Sequence, residues 1–150
     1  MDKLGAFIKG QQLVVVSPST PVVEVARLMA QRGVGAVPVV DGERLAGIFT
    51  ERDIMIRVVA AGLDATHTSV SEVMSTDLVV ASVDEGPAET MARLQKARVR
   101  HLLVLREGHL AGILSMRDLV DNELADRDEA VALLNAYVHY IPVDLTPRKT

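Results

Sequence analysis

The sequence contains no cysteine and no tryptophan, and only 3% of its 150 residues are aromatic. The absence of cysteine excludes disulfides and metal sites built on thiolates. No apolar run approaches the roughly 20 residues of a membrane-spanning helix, and the first residues show neither a basic leader nor a secretory apolar stretch. The net charge of -4 and the lack of a long basic run argue against a nucleic-acid partner. We therefore expect a soluble cytoplasmic protein.

The sequence does contain an internal repeat. A shift of 65 positions aligns residues 14–55 with residues 79–120 without a gap, and 12 aligned pairs are identical. Average residue usage would give roughly three identities by chance. The chain therefore consists mainly of two copies of one unit, and a repeat of this kind determines the whole architecture.

Each copy shows the same order of secondary-structure signals. In the first copy, residues 13–17 (LVVVS) resemble a buried strand, and Thr20 is placed to cap a helix that begins at Pro21 and ends at Gly33. Two apolar segments joined by a turn then predict a β-hairpin, and a second helix follows over about residues 51–61. The predicted order is β-α-β-β-α, twice.

The predicted fold class is α/β (α+β). A unit of this size buries little apolar surface alone, so we expect the copies to pack around a pseudo-twofold axis. The predicted organisation is repeat 1 over residues 1–62, a polar linker over 63–71, repeat 2 over 72–124, and a C-terminal helix and tail over 125–150.

The most informative identity lies at the end of the hairpin in each copy, GIFTERD (47–53) and GILSMRD (112–118). Both place a hydroxyl and a carboxylate three residues apart where a strand enters a helix. One interpretation is a capping box, in which the hydroxyl accepts a backbone N–H and the carboxylate favours the helix start. Capping gives no reason, however, for the shared arginines and glycines. The shared residues are Gly47, Arg52, Gly112 and Arg117.

The same geometry also suits a nucleoside phosphate. An ionised carboxylate accepts two hydrogen bonds and matches the vicinal hydroxyls of a ribose. An arginine one residue before the carboxylate can contact phosphate. Capping and ligand binding remain open alternatives at this point.

Taken together, these features resemble a tandem pair of cystathionine-β-synthase (CBS) domains, the Bateman module. The resemblance covers about residues 8–124. It rests on the doubled GIxTxRD/GIxSxRD ending, on the two hairpins VGAVPVVDGERLAGI and VRHLLVLREGHLAGI, and on TPVVEVARLM. It implies a sensor without catalytic activity. The implied ligand is an adenosine compound such as AMP, ADP or ATP, or else NAD(H) or S-adenosylmethionine.

The resemblance also implies roles for individual residues of this sequence. The residues expected to hold ribose are Asp53, Thr50, Asp118 and Ser115. The residues expected near phosphate are Arg100 and His101 in the second hairpin, together with Arg117 and Arg52. The residues expected beside adenine are Val14 for the Asp118 site and Met74 and Val79 for the Asp53 site.

The two copies differ where the phosphates would lie. Copy 1 has Gly35 and Ala36 at the positions of the basic pair, and Glu51 adds a nearby negative charge. We therefore expect the Asp118 site to be the better one for a phosphorylated ligand. The four histidines share no ligand-like spacing, so no metal is expected.

Three functions are open to such a chain. The first is a regulatory protein that responds to an adenine nucleotide and acts on an unidentified partner protein. The second is a dimerisation scaffold whose clefts no longer bind ligand. The third, a nucleotide-hydrolysing enzyme, lacks a visible base and metal-binding carboxylates. We expect a homodimer, because Ile54, Val58 and Leu119 appear as surplus apolar positions on the helices after the motifs.

Overall fold

The structure is a computed structural model that describes residues 3–122, 132 and 134–138. The helices are α1 (Leu4–Phe7), α2 (Val22–Arg32), α3 (Glu51–Asp53), α4 (Pro87–Ala97) and α5 (Met116–Asn122). A π-helix (Ile54–Val59) continues α3, and a 3-10 helix spans Val70–Glu72. The strands are β1 (Ala36–Asp41), β2 (Arg44–Thr50), β3 (Val80–Ser82), β4 (His101–Arg106) and β5 (His109–Ser115). Most of the predicted C-terminal helix and tail (125–150) lies outside the described residues, although residues 132 and 134–138 are helical.

The chain forms two compact units. The middle unit is Gln12–Leu78, and the terminal unit combines Met1–Gln11 with Val79–Thr150. Each unit contains one hairpin, as predicted: β1 pairs antiparallel with β2, and β4 pairs antiparallel with β5. The α+β fold class is therefore confirmed. Among the described residues, no helix is long and apolar enough to cross a membrane.

The first predicted strand forms fully in only one copy. In the terminal unit, β3 runs parallel to β4, and the Leu103 N–H donates to the carbonyl of Val79 at 2.9 Å. In the middle unit, the strand predicted at 13–17 does not form. Val16 makes a single parallel bridge with Val39. The residue that matches Leu103 is Pro38, which has no N–H to donate to the next carbonyl, that of Val14. The parallel ladder therefore stops after one bridge.

The start of α2 also differs from the prediction. Its N-cap is Pro21, one residue later than the predicted Thr20, and no side chain caps it. The N–H groups of Val22 and Val23 instead donate to the backbone carbonyls of Thr68 and Ala65, at 2.9 and 3.0 Å. The predicted linker thus supplies the partners that the first turn of a helix needs.

The linker and the N-terminal segment are integral parts of the units. Val70, at the end of the linker, and Val73, two residues after it, lie in the core of the middle unit. Leu4 and Ile8, near the N-terminus, lie in the core of the terminal unit. The Leu4 N–H also donates to the carbonyl of Glu85 at 2.9 Å. Each repeat is therefore completed by chain that precedes the other repeat's first strand.

The residues predicted to form a dimer interface pack within their own units. Val58 is 2% exposed and Leu119 is 0% exposed, so neither is the surplus surface residue that the sequence suggested. Ile54 packs against the core of the middle unit. The predicted interface residues therefore stabilise the cores of their own units. The large apolar residues that do face outward on this helix are Met55, Ile56 and Val59, at 58%, 49% and 71% exposure.

Candidate functional site

The motif of the middle unit forms a complete capping box. The Asp53 N–H donates to Thr50 Oγ1 at 3.2 Å, and the Thr50 N–H donates to Asp53 Oδ2 at 3.0 Å. The Thr50 hydroxyl also lies 3.2 Å from Asp53 Oδ2. The capping interpretation of this copy is therefore correct as a description of its geometry.

Two residues outside the motif also engage the Asp53 carboxylate. Ser75 Oγ donates to Asp53 Oδ1 at 3.2 Å, and Arg57 Nε lies 3.6 Å from the same oxygen. Arg57 Nη1 also donates to the carbonyl of Met74 at 2.9 Å. The Asp53 residue is only 7% exposed. Both of its carboxylate oxygens are therefore already held by protein donors.

The motif of the terminal unit has the same backbone frame. The Asp118 N–H donates to Ser115 Oγ at 3.0 Å, and the Ser115 N–H donates to Asp118 Oδ2 at 2.8 Å. Asp118 is half-buried. The residue 65 positions before Ser75 is Gly10, which has no hydroxyl to donate. The sequence position that matches Ser75 therefore carries no hydroxyl.

The predicted basic pair lies next to this second motif. His101 is the direct cross-strand partner of Ser115. The carbonyl of Arg100 accepts the N–H of Met116, the first residue of α5, at 2.8 Å. The structure thus brings Arg100 and His101 to the end of the hairpin that leads into α5, the helix that carries Asp118. A cationic or neutral imidazole and a permanent guanidinium there suit an anionic group.

The middle unit has the opposite charge at the matching place. Gly35 replaces the arginine, and its carbonyl accepts the N–H of Glu51 at 2.9 Å. A Cβ added to Gly35 would lie 3.4 Å from the Glu51 carboxylate. The negative side chain therefore lies close to where the sequence comparison puts a basic residue in the other copy. The predicted inequality of the two motifs thus has a visible electrostatic basis.

The outer edge of the second hairpin strand is covered differently in the two units. Ile48 of β2 exchanges two backbone hydrogen bonds with Ser75, at 2.9 and 2.8 Å. The matching residue, Ile113 of β5, bonds to the side-chain amide of Gln11. Gln11 Nε2 donates to the Ile113 carbonyl at 2.8 Å, and the Ile113 N–H donates to Gln11 Oε1 at 3.0 Å. A side chain thus replaces a backbone segment.

The shared glycines allow these coverings to approach closely. A Cβ on Gly47 would lie 2.6 Å from the sulfur of Met74 and 2.9 Å from the carbonyl oxygen of Ser75. A Cβ on Gly112 would lie 2.8 Å from both Gln11 Oε1 and a methyl of Ile8. Both contacts are shorter than van der Waals separation allows. The glycines are explained by chain packing and do not themselves indicate a ligand.

The remaining predicted residues are distributed over both units. Arg52 and Arg117 are exposed, and Arg117 Nε lies 3.7 Å from a carboxylate oxygen of Asp121. Val14 and Met74 pack against the core of the middle unit, and Val79 packs against that of the terminal unit. Within the part of the chain that the structure describes, no three histidine or acidic residues form a metal-binding group.

Sequence reasoning missed Ser75, Arg57 and Gln11. Gln11 and Ser75 act over long separations, since Gln11 is 102 residues from Ile113 and Ser75 is 22 residues from Asp53. Arg57 lies only four residues after Asp53. The sequence signal that could have indicated Ser75 and Gln11 is the pair of shared glycines, Gly47 and Gly112. A glycine inside a strand often marks close approach by another part of the chain.

Comparison with known proteins agrees with this architecture. The family profile for the CBS domain matches residues 8–60 and 70–125. The CBS domain-containing protein YhcV of Bacillus subtilis is 37% identical over 124 residues, which cover 83% of this chain and 88% of YhcV.

Solved structures show the same fold. A protein with CBS domains from Burkholderia ambifaria is 34% identical with a TM-score of 0.78, covering 83% of this chain and 96% of that one. The CBS domain protein PAE2072 of Pyrobaculum aerophilum, complexed with AMP, is 20% identical with a TM-score of 0.72, covering 91% and 98%. The doubled motif, the paired hairpins and these matches together show that the chain belongs to the CBS domain family and carries two CBS repeats.

Proposed function

We infer that the chain is a non-catalytic regulatory module that binds an adenine nucleotide of the AMP, ADP or ATP class. The observation that carries this inference is the convergence of Arg100, His101, Ser115 and Asp118 at one end of the second hairpin. A carboxylate and a basic pair in one place match the two chemically distinct parts of a nucleotide. The ribose hydroxyls donate to the carboxylate, and the phosphate accepts from the basic side chains.

The proposed binding motif is that of the terminal unit. In the middle unit, Ser75 and Arg57 already engage the Asp53 carboxylate, and Glu51 would repel a phosphate. In the terminal unit, Arg100 and His101 lie at the place that Gly35 and Ala36 occupy in the middle unit, so a phosphate there meets basic residues. We therefore propose one nucleotide per chain, held by Asp118 and Ser115, with phosphate contacts from Arg100, His101 and Arg117.

AMP is the ligand to try first. The related Pyrobaculum protein is complexed with AMP, which supports the adenosine class without fixing the number of phosphates. The adenine-contacting residues Val14, Met74 and Val79 and the phosphate role of Arg52 remain predictions. A bound nucleotide carries a signal only if a partner protein binds the occupied and empty states with different affinity.

Calorimetric titration of nucleotide-free protein tests the proposal. AMP, ADP, ATP, NAD(H) and S-adenosylmethionine are titrated separately, and at least one of the three phosphorylated adenosines is expected to bind. Bound ligand at 100 times its dissociation constant should also stabilise the fold by about 2.7 kcal/mol. Absence of heat with every compound would contradict the proposal.

The alternative function is a dimerisation scaffold with vestigial clefts. The specific observation in its favour is the complete capping box of Thr50 and Asp53, which gives that motif a structural role without any ligand. A hydrolase has no comparable support. Product formation from ATP with Mg²⁺ is its test.

We propose that the chain forms a homodimer through the exposed apolar face of the π-helix. Met55, Ile56 and Val59 are large and mostly exposed there, and symmetric pairing of one face with its copy is the common way to bury such residues. Val59→Asp should therefore shift the mass measured by light scattering from dimer to monomer at micromolar concentration. Val23→Asp, on the half-buried part of α2, serves as the control. A monomeric wild-type chain would contradict this proposal.

A further inference from the structure

The side chain of Gln11 closes the outer edge of β5 in a way that a nucleobase can copy. Its amide donates to the Ile113 carbonyl and accepts from the Ile113 N–H, at 2.8 and 3.0 Å. Residues opposite each other in an antiparallel sheet exchange the same two bonds. The carboxamide thus satisfies two edge groups that would otherwise need a strand or a ligand.

Adenine carries the same pair of groups as a carboxamide. Its amine is a donor adjacent to a ring nitrogen that accepts, and glutamine has an NH₂ donor adjacent to a carbonyl acceptor. A base bound at this edge would therefore replace both Gln11 hydrogen bonds without leaving either Ile113 group unpaired.

The position of this edge matches that of the proposed ribose site. Ile113 and Ser115 are two residues apart on β5, so their N–H groups point to the same side, about 7 Å apart along the strand. The Ser115 N–H donates to Asp118 Oδ2. Gln11, Ile113, Ser115 and Asp118 all belong to the terminal unit. The base-like group and the ribose-binding carboxylate thus occupy neighbouring places on one strand edge, separated by roughly the length of a nucleoside.

In the middle unit, the matching strand edge is covered by backbone and not by a side chain. Its edge residue, Ile48, is paired with the backbone of Ser75. A base could bind there only if that backbone moved away. Gln11 is exposed and lies at the end of the N-terminal segment, so rotation of its side chain opens the edge while the backbone stays in place.

We propose that Gln11 is an internal competitor of the ligand's adenine, displaced from Ile113 when an adenine nucleotide binds at Asp118. The proposal rests on the proposed function and adds a residue that sets affinity and base preference. A purine without the amine cannot donate to the Ile113 carbonyl, so it should displace Gln11 poorly.

The first test compares AMP affinity in variants by calorimetry. Gln11→Ala should bind AMP about three- to tenfold more tightly than the unmodified chain, since the ligand no longer replaces two hydrogen bonds of ordinary strength. Gln12→Ala, which alters the neighbouring exposed glutamine, should leave the affinity unchanged. Unchanged or weaker binding in a folded Gln11→Ala chain would overturn the proposal.

The second test uses the unmodified chain, so it does not depend on how Gln11→Ala folds. In ¹⁵N nuclear magnetic resonance spectra, AMP should move the Gln11 side-chain NH₂ signals toward those of an exposed glutamine and shift the Ile113 amide. Purine riboside 5′-monophosphate, which lacks the amine, should move them less at equal concentration. If AMP binds but neither signal moves, the Gln11 proposal fails and the proposed function stands. If the unmodified chain does not bind AMP, both proposals fail.

Discussion

Asp118→Asn is expected to weaken AMP binding about 10- to 100-fold, the cost of losing a charge-assisted hydrogen-bond acceptor. Asparagine keeps one oxygen that can accept the Ser115 N–H, so the cap is largely retained. The free energy of unfolding should therefore change by less than about 1 kcal/mol. Calorimetry measures the affinity, and urea denaturation measures the stability.

Asp53→Asn is the matched control for Asp118→Asn. It makes the same chemical change at the same position of the other motif, where Ser75 and Arg57 already engage the carboxylate. AMP affinity should stay within about twofold of the unmodified chain. Equal losses in both variants would show two equivalent sites. A fall in stability with no loss of affinity in either variant would favour the scaffold.

Asp53→Ala is expected to lower the free energy of unfolding by roughly 2 to 3 kcal/mol. About 0.5 kcal/mol comes from the lost negative charge at the start of the helix, since the Thr50 hydroxyl still accepts the N–H of residue 53. The rest comes from the Thr50 N–H and the Ser75 hydroxyl, which lose their acceptor in a half-buried setting. Arg57 adds little, because half of its side chain is exposed and its ion pair is screened.

Ser75→Ala separates the parts of this effect. It removes one donor to Asp53 and leaves the capping box intact, so the loss should be about 1 kcal/mol. Urea denaturation followed by circular dichroism measures both variants at pH 7. A loss below about 0.5 kcal/mol in Asp53→Ala would contradict the structural role assigned to this carboxylate.

The elements that depend on local sequence were predicted well. The two hairpins and the helical segment that begins at Glu51 lie where the turns and the apolar spacing put them. The doubled motif also identified the family correctly. These features could be predicted because each is set by residues a few positions apart.

The errors arose where distant backbone groups meet. In the first copy, the parallel ladder stops because Pro38 has no N–H to donate to the Val14 carbonyl. Val14 and Pro38 lie on opposite sides of α2 in the sequence. Thr20 looked like a helix cap, but the carbonyls of Ala65 and Thr68 satisfy the first turn instead. Local propensity gave no indication of either partner.

The candidate site was also predicted in its local motifs but not in its long-range contacts. Asp53, Asp118 and their hydroxyl partners were evident from the repeat, and the inequality of the copies followed from Gly35, Glu51 and Arg100. The coverings by Ser75 and Gln11 were not evident, because they belong to segments outside the aligned motif. Gly47 and Gly112 indicated that another part of the chain approaches closely, but they did not indicate which residues make the contact.

The stoichiometry of AMP binding to nucleotide-free protein, measured by isothermal titration calorimetry, tests the proposed function most directly. We expect one AMP per chain, with Asp118→Asn removing most of the binding. Two equal sites per chain, or no binding at all, would contradict it.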